Sequence, residues 1–249
     1  RMFRAIAEYT RYGRSLARTR VTGKPVPFPG LPAIGKGPQA EWTGKKILAA
    51  AGIAVPQGEL ARTVDEALAV AKRIGYPVAL KAQAAALSHK TEAGGVALNI
   101  GDDAALRTGW QAMTANVKRA APGVTLDGIL VETMSRKGLE LMVGAKRDPA
   151  WGTVLLVGLG GIWVEVLGDV QLLPVDADEA QVIAAMRKLR TAKLLDGFRG
   201  APPADVDAVA RVVTTIGRLM RTVPAITEID INPLLVHPKG QGATALDAL

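Results

Sequence analysis

Five segments of the chain place apolar residues at the spacing of a single helix face. We predict helices over residues 41–51, 63–74, 102–121, 179–189 and 205–220. The second helix has a defined start, because Thr63 occupies an N-cap position and Glu66 follows three residues later, as in a capping box. Asp102 or Asp103 can cap the third helix, and Gly52 follows the first helix at a C-cap position.

Shorter apolar runs between turn residues predict strands. These runs span residues 78–81, 96–100, 124–134, 139–145, 153–158, 164–166, 170–175, 226–236 and 243–246. Helices and strands therefore mix without the regular alternation that a doubly wound sheet requires. The pattern favours α+β subdomains.

The N-terminal part of the chain differs from the rest. Residues 1–22 predict a basic helix, which we interpret as the last helix of a preceding domain. Residues 23–38 contain five Pro and four Gly, which is the composition of an extended and partly stiff linker. The body of the fold is therefore expected to begin near Gln39.

The formal net charge of +8 is concentrated in this N-terminal part. Residues 1–46 contain ten Lys and Arg against Glu8 and Glu41, so the rest of the chain is neutral. A nucleic-acid-binding arm over residues 1–24 is an alternative, although the segment carries no known nucleic-acid-binding motif. Charge alone therefore does not predict a nucleic-acid partner.

Composition excludes several classes of protein. No apolar run reaches the roughly 18 residues that a membrane-spanning helix needs. The chain contains no Cys, which excludes disulfides, thiolate catalysis and Cys-ligated zinc. The absence of Cys fits a reducing compartment, and we expect a cytoplasmic protein with neither membrane nor nucleic-acid partners.

Oxygen ligands are concentrated near the last two predicted strands. Residues two apart on a strand face the same way, so Glu228, Asp230 and Asn232 share one face, and Asp247 follows the neighbouring strand. Mg²⁺ binds a few such oxygens and leaves its other positions to water and phosphate. Alternatively, these side chains pair with Arg or with backbone N–H groups, since a buried acid needs a cation or donors.

Lys81 and the loop that follows it can supply a phosphate site. Lys81 ends a short apolar strand, where its ammonium can contact a phosphate or, alternatively, extend from a strand edge into water. Gly94 and Gly95 permit close backbone approach and an anion-binding set of N–H groups. His89 can accept a phosphoryl group or remain a solvent-facing loop residue, which is our interpretation of His237.

Two glutamates and a glycine motif are less specific. Judged on the residues alone, Glu132 and Glu140 are surface strand residues, although Glu132 could meet an adenine edge from a connector between subdomains. Gly158-Leu-Gly-Gly161 has the glycines of a dinucleotide fingerprint but lacks the helix and the acidic residue that should follow. We interpret it as a tight turn between strands.

In their order and spacing these segments together resemble the ATP-grasp domain of NDP-forming acyl-CoA synthetases, which are related to the succinyl-CoA synthetase β subunit. The matching segments are Glu41–Leu48, Lys81–Gln83, Ser88–Lys90, Ala93–Val96, Val131–Glu132, Glu140–Gly144, Lys146–Asp148, Gly158–Ile162, Leu195–Gly200, Asp230–Pro233 and Leu246–Asp247. The resemblance covers roughly residues 39–249. It implies an α+β ATP-grasp fold of two α+β subdomains, residues 39–127 and 128–249, with the nucleotide site between them.

The resemblance also implies a set of ATP-binding residues. These are Lys81, Lys90, Gly94, Gly95, Glu132 and Glu140. In that scheme Lys81 binds the phosphates, the loop from His89 to Gly95 covers them, and the two glutamates contact the adenosine portion.

Catalysis and metal binding are implied in the same way. His89 belongs to the Ser-His-Lys segment that takes part in a phosphoryl relay in the ADP-forming acetyl-CoA synthetase branch. Asp230 stands where the phosphohistidine is held, in place of the Glu of the succinyl enzymes, and completes the implied catalytic set with His89 and Lys81. Asn232 and Asp247 are the implied Mg²⁺ ligands.

The function implied is the ATP-binding, phosphoryl-transferring half of an ADP-forming acid–CoA ligase. The reaction converts a carboxylic acid, CoA and ATP to acyl-CoA, ADP and phosphate through an acyl phosphate and a phosphohistidine. The implied partners are CoA-binding and acyl-transfer domains, in the same polypeptide or a partner subunit, with a homo-oligomer possible. The alternative is a regulatory nucleotide-binding module, for example one fused to an acetyltransferase.

Overall fold

The structure, a computed structural model, describes residues 26–87, 90–161 and 168–248. These residues form two compact units. The first unit comprises residues 31–137 and 244–248, and the second comprises residues 138–243 with residues 26–30. Three predictions fall outside the described residues, namely the helix over residues 1–22, the strand over residues 164–166 and the role of His89.

The described ranges contain five α-helices and nine strands. The helices are α1 (Glu41–Ala50), α2 (Val64–Ile74), α3 (Asp103–Ala120), α4 (Glu179–Met186) and α5 (Val206–Thr222). The strands are β1 (Gly58–Ala61), β2 (Val78–Gln83), β3 (Val96–Ile100), β4 (Gly128–Thr133), β5 (Leu139–Asp148), β6 (Gly152–Leu159), β7 (Val170–Pro174), β8 (Glu228–Val236) and β9 (Ala243–Ala245). None of these helices combines the length and the hydropathy needed to cross a bilayer.

Every helix and strand predicted within the described ranges is present, with ends that differ by up to four residues. Strand β1 was missed, because Leu60 and Ala61 are its only apolar side chains. The strand predicted from residue 124 begins instead at Gly128, since Val124 donates to the Ala121 carbonyl in a turn after α3.

The first unit is built on an antiparallel sheet in the order β1-β4-β2-β3. All six residues of β2 are buried, as expected of a strand with neighbours on both sides. On one face of this sheet, alternate residues such as Val78, Leu80 and Val131 join the apolar core of the unit. Helices α2 and α3 complete that core, with Leu106 and Met113 of α3 buried in it.

Side-chain caps begin the two helices on this face. The Thr63 hydroxyl accepts a hydrogen bond from the Glu66 N–H at 3.2 Å, and the Asp102 carboxylate accepts one from the Ala105 N–H at 2.8 Å. Half of the predicted capping box is wrong, because the Glu66 carboxylate accepts from the Arg62 N–H at 2.7 Å instead of the Thr63 N–H. The N-cap itself is confirmed.

The second unit is built on four strands of an antiparallel sheet, which neighbour one another in the order β7-β6-β5-β8. Helix α5 packs on this sheet through an apolar face that includes Val209, Val213 and Ile216. Gly217 is required on the helix, since a Cβ there would come within 2.3 Å of the Val175 carbonyl oxygen.

Arg147 of β5 closes the C-terminal end of α5. Its guanidinium donates to the carbonyl of Met220, to that of Val223 at 3.3 Å and to that of Ile226 at 2.8 Å. The last carbonyls of a helix have no partner within the helix, so a fixed guanidinium satisfies them. The arginine thereby ties α5 to the sheet.

Candidate functional site

The face of the first sheet opposite the apolar core is polar. Lys81 on β2 and Glu132 on β4 share this face as diagonal neighbours, because Glu132 lies directly across from Ala79. Helix α1 covers the face with Glu41 and Lys45, which stand one turn apart on the same side of the helix. Charged side chains therefore occupy a helix–sheet interface that apolar residues would ordinarily fill.

Two further residues complete what we call the lysine–carboxylate cluster. Its members, all in the first unit, are Glu41, Lys45, Lys81, Lys90, Glu132 and Asp247. Three ammonium groups face three carboxylates, so the formal charge of the cluster is zero. Elements far apart in sequence thus bring together Lys81, Lys90, Glu132 and Asp247, which are four of the predicted site residues.

Glu41 is the centre of the cluster. Its Oε1 lies 2.7 Å from the Lys45 ammonium and 2.9 Å from that of Lys81, and its Oε2 lies 2.6 Å from that of Lys90. The Gln83 side-chain amide also donates to Oε2, at 3.4 Å. One carboxylate therefore bridges three cations.

The other two acids each hold part of the same set. Glu132 Oε2 lies 2.6 Å from the Lys45 ammonium, and its Oε1 lies 2.8 Å from that of Lys81. Asp247 lies 3.0 Å from the ammonium of Lys90. Each lysine is consequently paired with two carboxylates, which is the arrangement that makes burial of an ammonium tolerable.

Burial and mutual charge shift the protonation equilibria within the cluster. Burial disfavours ionised Glu41, but the three ammonium groups outweigh that penalty and hold the pKa of Glu41 well below its ordinary value. Burial likewise opposes the charge of Lys81, yet Glu41 and Glu132 raise its pKa above the ordinary range. Burial first, and then the neighbouring Lys81, lower the pKa of Lys45. Lys81 is therefore fixed as a cation over the whole physiological range.

The glycine loop after β2 closes on itself. The Gly95 N–H donates to the Lys90 carbonyl at 2.7 Å, and the Gly94 N–H donates to the Thr91 carbonyl at 3.1 Å. A Cβ on Gly94 would come within 2.9 Å of the Asn116 side chain, which explains the glycine. These two N–H groups are engaged within the loop in this structure, and the role of Gly94 and Gly95 in binding phosphate stays a prediction.

The C-terminal segment runs against the cluster. The Leu246 carbonyl accepts from the Lys81 ammonium at 2.6 Å, and the following Asp247 reaches Lys90. A Cβ on Gly44 would lie 2.7 Å from the Ala248 carbonyl oxygen, so the glycine in α1 makes room for this segment. The glycine at position 44 thus has a local steric reason.

The remaining predicted residues lie in the second unit. Asp230 and Asn232 are half-buried on β8 and alternate with the buried Ile231, as the period of a strand predicts. The Asn232 side-chain oxygen accepts from the Gly161 N–H at 3.2 Å. Glu140 is exposed on β5, and a Cβ on Gly161 would come within 2.5 Å of its carboxylate.

The fit of these oxygens to a divalent cation depends on the metal. Within residues 26–87, 90–161 and 168–248, no three His, Cys, Asp or Glu side chains come together as a metal site. Mg²⁺ needs fewer protein ligands, since one or two carboxylates with phosphate and water complete its shell. Asp247 offers a carboxylate that is 26% exposed, and Asn232 offers an amide oxygen. In donor type, each of these two oxygens, taken separately within its own unit, fits Mg²⁺ when phosphates supply further oxygens.

Three sequence interpretations are wrong. Glu132 is 2% exposed and not a surface residue, because β4 is an interior strand and α1 covers its polar face. Lys81 lies within β2 and does not extend from a strand edge into water. His237 is buried rather than solvent-facing, since its N–H and carbonyl tie the closing turn to Gly242 and Asp205.

Sequence reasoning also missed two residues of the cluster. Glu41 and Lys45 lie within a segment that carries the family resemblance, yet no role followed from their spacing. Their separation by four residues, with Leu48 three residues further along the same face, was the available signal. In sequence, a buried Glu–Lys pair on a helix looks the same as an exposed pair, because burial depends on the elements that pack over the helix.

Comparison with known proteins identifies relatives of the chain. The chain is 44% identical over its full length to the trans-feruloyl-CoA synthase FCS1 of an unknown prokaryotic organism, of which it covers 35%. It is 35% identical to the acetate–CoA ligase (ADP-forming) II subunit beta of Pyrococcus furiosus, over 87% of this chain and 92% of that subunit. The chain thus spans about a third of the first relative and nearly all of the second.

Solved structures agree with these relatives. The dinucleotide-forming acetyl-coenzyme A synthetase 1 of Ca. Korarchaeum cryptofilum, in complex with coenzyme A, Ca-AMPCP and HgCl⁺, superposes with a TM-score of 0.83 at 33% identity. The match covers 86% of this chain and 93% of that one. A profile of the ATP-grasp domain matches residues 33–249. The α+β ATP-grasp fold is confirmed, and the chain belongs to the ATP-grasp domain family.

Proposed function

We propose that the chain is the ATP-binding, phosphoryl-transferring half of an ADP-forming acid–CoA ligase. The observation that carries the proposal is the lysine–carboxylate cluster, in which Lys81 and Lys90 share the carboxylate of Glu41. Buried cations cost desolvation energy that pairing offsets only in part, which supports a functional use, and phosphoryl transfer depends on such positioned positive charge.

The nucleotide would be held mainly through its phosphates. Lys81 and Lys90 supply the ammonium groups, and Asp247 with Asn232 would hold the Mg²⁺ that neutralises phosphate charge. Glu132 and Glu140 remain the proposed adenosine contacts, although the contacts of Glu132 with Lys45 and Lys81 also support a role in orienting lysines.

The phosphoryl acceptor would be His89, with Asp230 near the phosphohistidine. An imidazole can take a phosphoryl group as a nucleophile, and a carboxylate beside it can orient the ring. His89 directly precedes Lys90 in the sequence, and Lys90 belongs to the lysine–carboxylate cluster. That adjacency supports the assignment.

The rest of the reaction would require partners. The Pyrococcus furiosus relative is a beta subunit, and the Ca. Korarchaeum cryptofilum enzyme binds coenzyme A. We therefore propose that CoA-binding and acyl-transfer domains, in one polypeptide or a second subunit, supply the acid and CoA chemistry. The preceding domain that ends in residues 1–22, the linker over residues 23–38 and the cytoplasmic location stay predictions.

The binding step can be tested on the 249-residue chain. Titration with Mg-ADP, followed by calorimetry, should give saturable binding that depends on Mg²⁺. Lys81→Met should weaken binding by about 10- to 100-fold, because a hydrogen bond to a charged group contributes about 1.5–3 kcal/mol. Lys118→Met, which alters an exposed lysine in the same unit, should leave the affinity unchanged.

The transfer step needs the phosphate itself to be followed. Incubation of the full-length protein with Mg-ATP should produce an acid-labile phosphate on His89, which mass spectrometry locates and His89→Gln abolishes. Nucleotide binding without any phosphohistidine would contradict the phosphoryl-transfer role. That outcome would favour the regulatory alternative.

A further inference from the structure

Glu41 has the least exposed side chain among the acids of the lysine–carboxylate cluster, at 1% against 3% for Glu132, and the proposed reaction gives it no role. The residue as a whole is 2% exposed, and it contacts neither of the residues proposed as metal ligands. We propose that Glu41 is a positioning residue that fixes the ammonium groups of Lys81 and Lys90 side by side for the phosphates of ATP. This inference rests on the proposed function and extends it to a residue that does not touch substrate.

The geometry separates the two phosphate-binding lysines by one carboxylate. Lys81 is held on Oε1 and Lys90 on Oε2, at 2.9 and 2.6 Å, so the spacing of the two cations follows from the width of a single group. The carboxylate cannot rotate freely, because Lys45 at 2.7 Å and Gln83 at 3.4 Å fix its two oxygens from further sides. A long, flexible lysine side chain is ordered by such contacts and loses less entropy when the ligand binds.

The donors of Lys81 show which contact a phosphate would replace. An ammonium has three N–H donors, and Lys81 uses them on Glu41, Glu132 and the Leu246 carbonyl. The carbonyl is neutral and belongs to the C-terminal segment, whereas the two carboxylates are charged. A phosphate oxygen would therefore displace the carbonyl and leave Glu41 in place.

A cavity next to Glu41 gives a ligand access to the same group. Glu41 and Lys90 line a space of about 130 Å³ together with Gln39, Gln83 and Leu87. That volume has room for several water molecules, since about 10–15 Å³ of such space holds one. Lys90 therefore has open space beside it as well as the carboxylate that anchors it.

Charge balance makes Glu41 a main support for the ionised state of Lys81. The charged groups that face it from the helix, the two strands, the loop and the C-terminal segment are Lys45, Lys81, Glu132, Lys90 and Asp247. Without Glu41, three ammonium groups would face two carboxylates at low local dielectric. Burial and then repulsion from Lys81 already lower the pKa of Lys45, and burial and repulsion would act on the pKa of Lys81 with less opposition.

The first test needs no nucleotide. In the 249-residue chain, nitrogen NMR of the lysine ammonium groups should show Lys81 protonated up to pH 10 in the wild type. Glu41→Gln keeps the shape of the side chain and removes its charge. In this variant Lys81 should lose its proton at a pH at least one unit lower than in the wild type. An unchanged titration in the folded variant would overturn the proposal, whether or not the chain binds ATP.

The second test measures binding. Mg-ADP affinity of the wild type should change less than threefold between pH 7 and pH 9. Glu41→Gln should bind about tenfold more weakly at pH 7, and its affinity should fall further at pH 9 by more than the threefold allowed for the wild type. A role confined to folding predicts equal affinity for the folded fraction at both pH values, and that result would overturn the proposal. If the wild type itself fails to bind, the proposed function fails while the NMR result still decides the role of Glu41.

A double variant separates positioning from simple charge balance. Glu41→Gln with Lys45→Met removes one anion and one cation, so the cluster stays neutral and the chain should fold even where the single variant does not. Positioning predicts that the pH dependence returns to that of the wild type while affinity at pH 7 stays about tenfold weaker. Full recovery of affinity would show that Glu41 acts only as a counter-charge.

Discussion

The two faces of the four-stranded sheet bury different kinds of side chain. On one face, helices α2 and α3 bury Val78, Leu80 and other apolar side chains in an ordinary core. On the other, helix α1 buries Glu41 and Lys45 against Lys81 and Glu132. The same strands carry both faces, so the difference lies in alternate residues of one sequence.

The two faces differ in how much their buried side chains contribute to stability. Apolar burial contributes about 25 cal/mol per Å² of surface removed from water. Burial of charge costs desolvation energy that ion pairing only partly recovers, and replacing such pairs by apolar residues is often neutral or stabilising. The apolar face thus holds the first unit together, whereas the polar face contributes less to stability, as expected if it serves the proposed phosphate site.

The largest loss of stability should follow removal of one carboxylate from the polar face. Glu132→Ala leaves Lys45 and Lys81 each with one acid fewer, and we expect the free energy of unfolding to fall by about 3–5 kcal/mol. Denaturant unfolding followed by circular dichroism measures it. Glu59→Ala is the control. Glu59 lies on β1 of the same sheet, and its ion pair with Arg73 of α2 has both side chains more than half exposed.

A loss below about 1 kcal/mol for Glu132→Ala would contradict this view of the polar face. It would mean that water reaches the two lysines and replaces the missing carboxylate. The two faces would then differ in hydration as well as in composition.

The apolar face should respond next. Leu80→Ala removes a fully buried side chain from the core and should cost about 3 kcal/mol, from lost burial and from the cavity left behind. Leu98→Ala on the neighbouring strand is the matched control, since Leu98 is 55% exposed and should change stability little. Equal losses in the two variants would show that β3 is covered in solution.

The apolar face was also the part that sequence reasoning predicted well. Helical spacing and the caps at Thr63 and Asp102 placed α2 and α3, and the run from Val78 placed β2. These signals are local, because a cap and its helix lie within a few residues of each other. The period of a strand shows that residues alternate, and here it separated Leu80 from Lys81.

The polar face could be predicted only in part, because its contacts are not local. Lys45 and Glu132 are 87 residues apart, and nothing near Glu132 indicates that α1 covers it. Lys81 and Asp247 were candidates from their local patterns, and the family resemblance gave them roles, whereas Glu41 and Lys45 needed knowledge of strand order. The interpretation of His237 as solvent-facing was wrong for the same reason, since its carbonyl accepts from the N–H of the distant Asp205.

The pH dependence of stability should distinguish the faces more finely. Three ammonium groups hold the pKa of Glu41 below the ordinary value of 4.5, so the unfolded chain takes up this proton first as the pH falls. The contribution of Glu41 is therefore fully present above pH 4.5 and is lost as the pH drops below it. Unfolding measured from pH 6 to pH 3 should show this decline, and Glu41→Gln should lessen its slope by up to one proton. A parallel slope in the variant would assign the decline to other carboxyl groups.

The smallest effect should come from an ion pair of the same chemistry placed in water. Lys146 and Glu228 lie 3.0 Å apart on paired strands of the second unit, yet both side chains are more than half exposed. Water screens the attraction and side-chain entropy opposes it, so Lys146→Met should change the free energy of unfolding by about 0.5 kcal/mol or less. That small difference should vanish in 1 M salt, where the screening length is about 3 Å, whereas the loss in Glu132→Ala should persist. If both losses disappeared in salt, the buried lysines would be as open to ions as the surface pair, and burial could not be what sets the polar face apart.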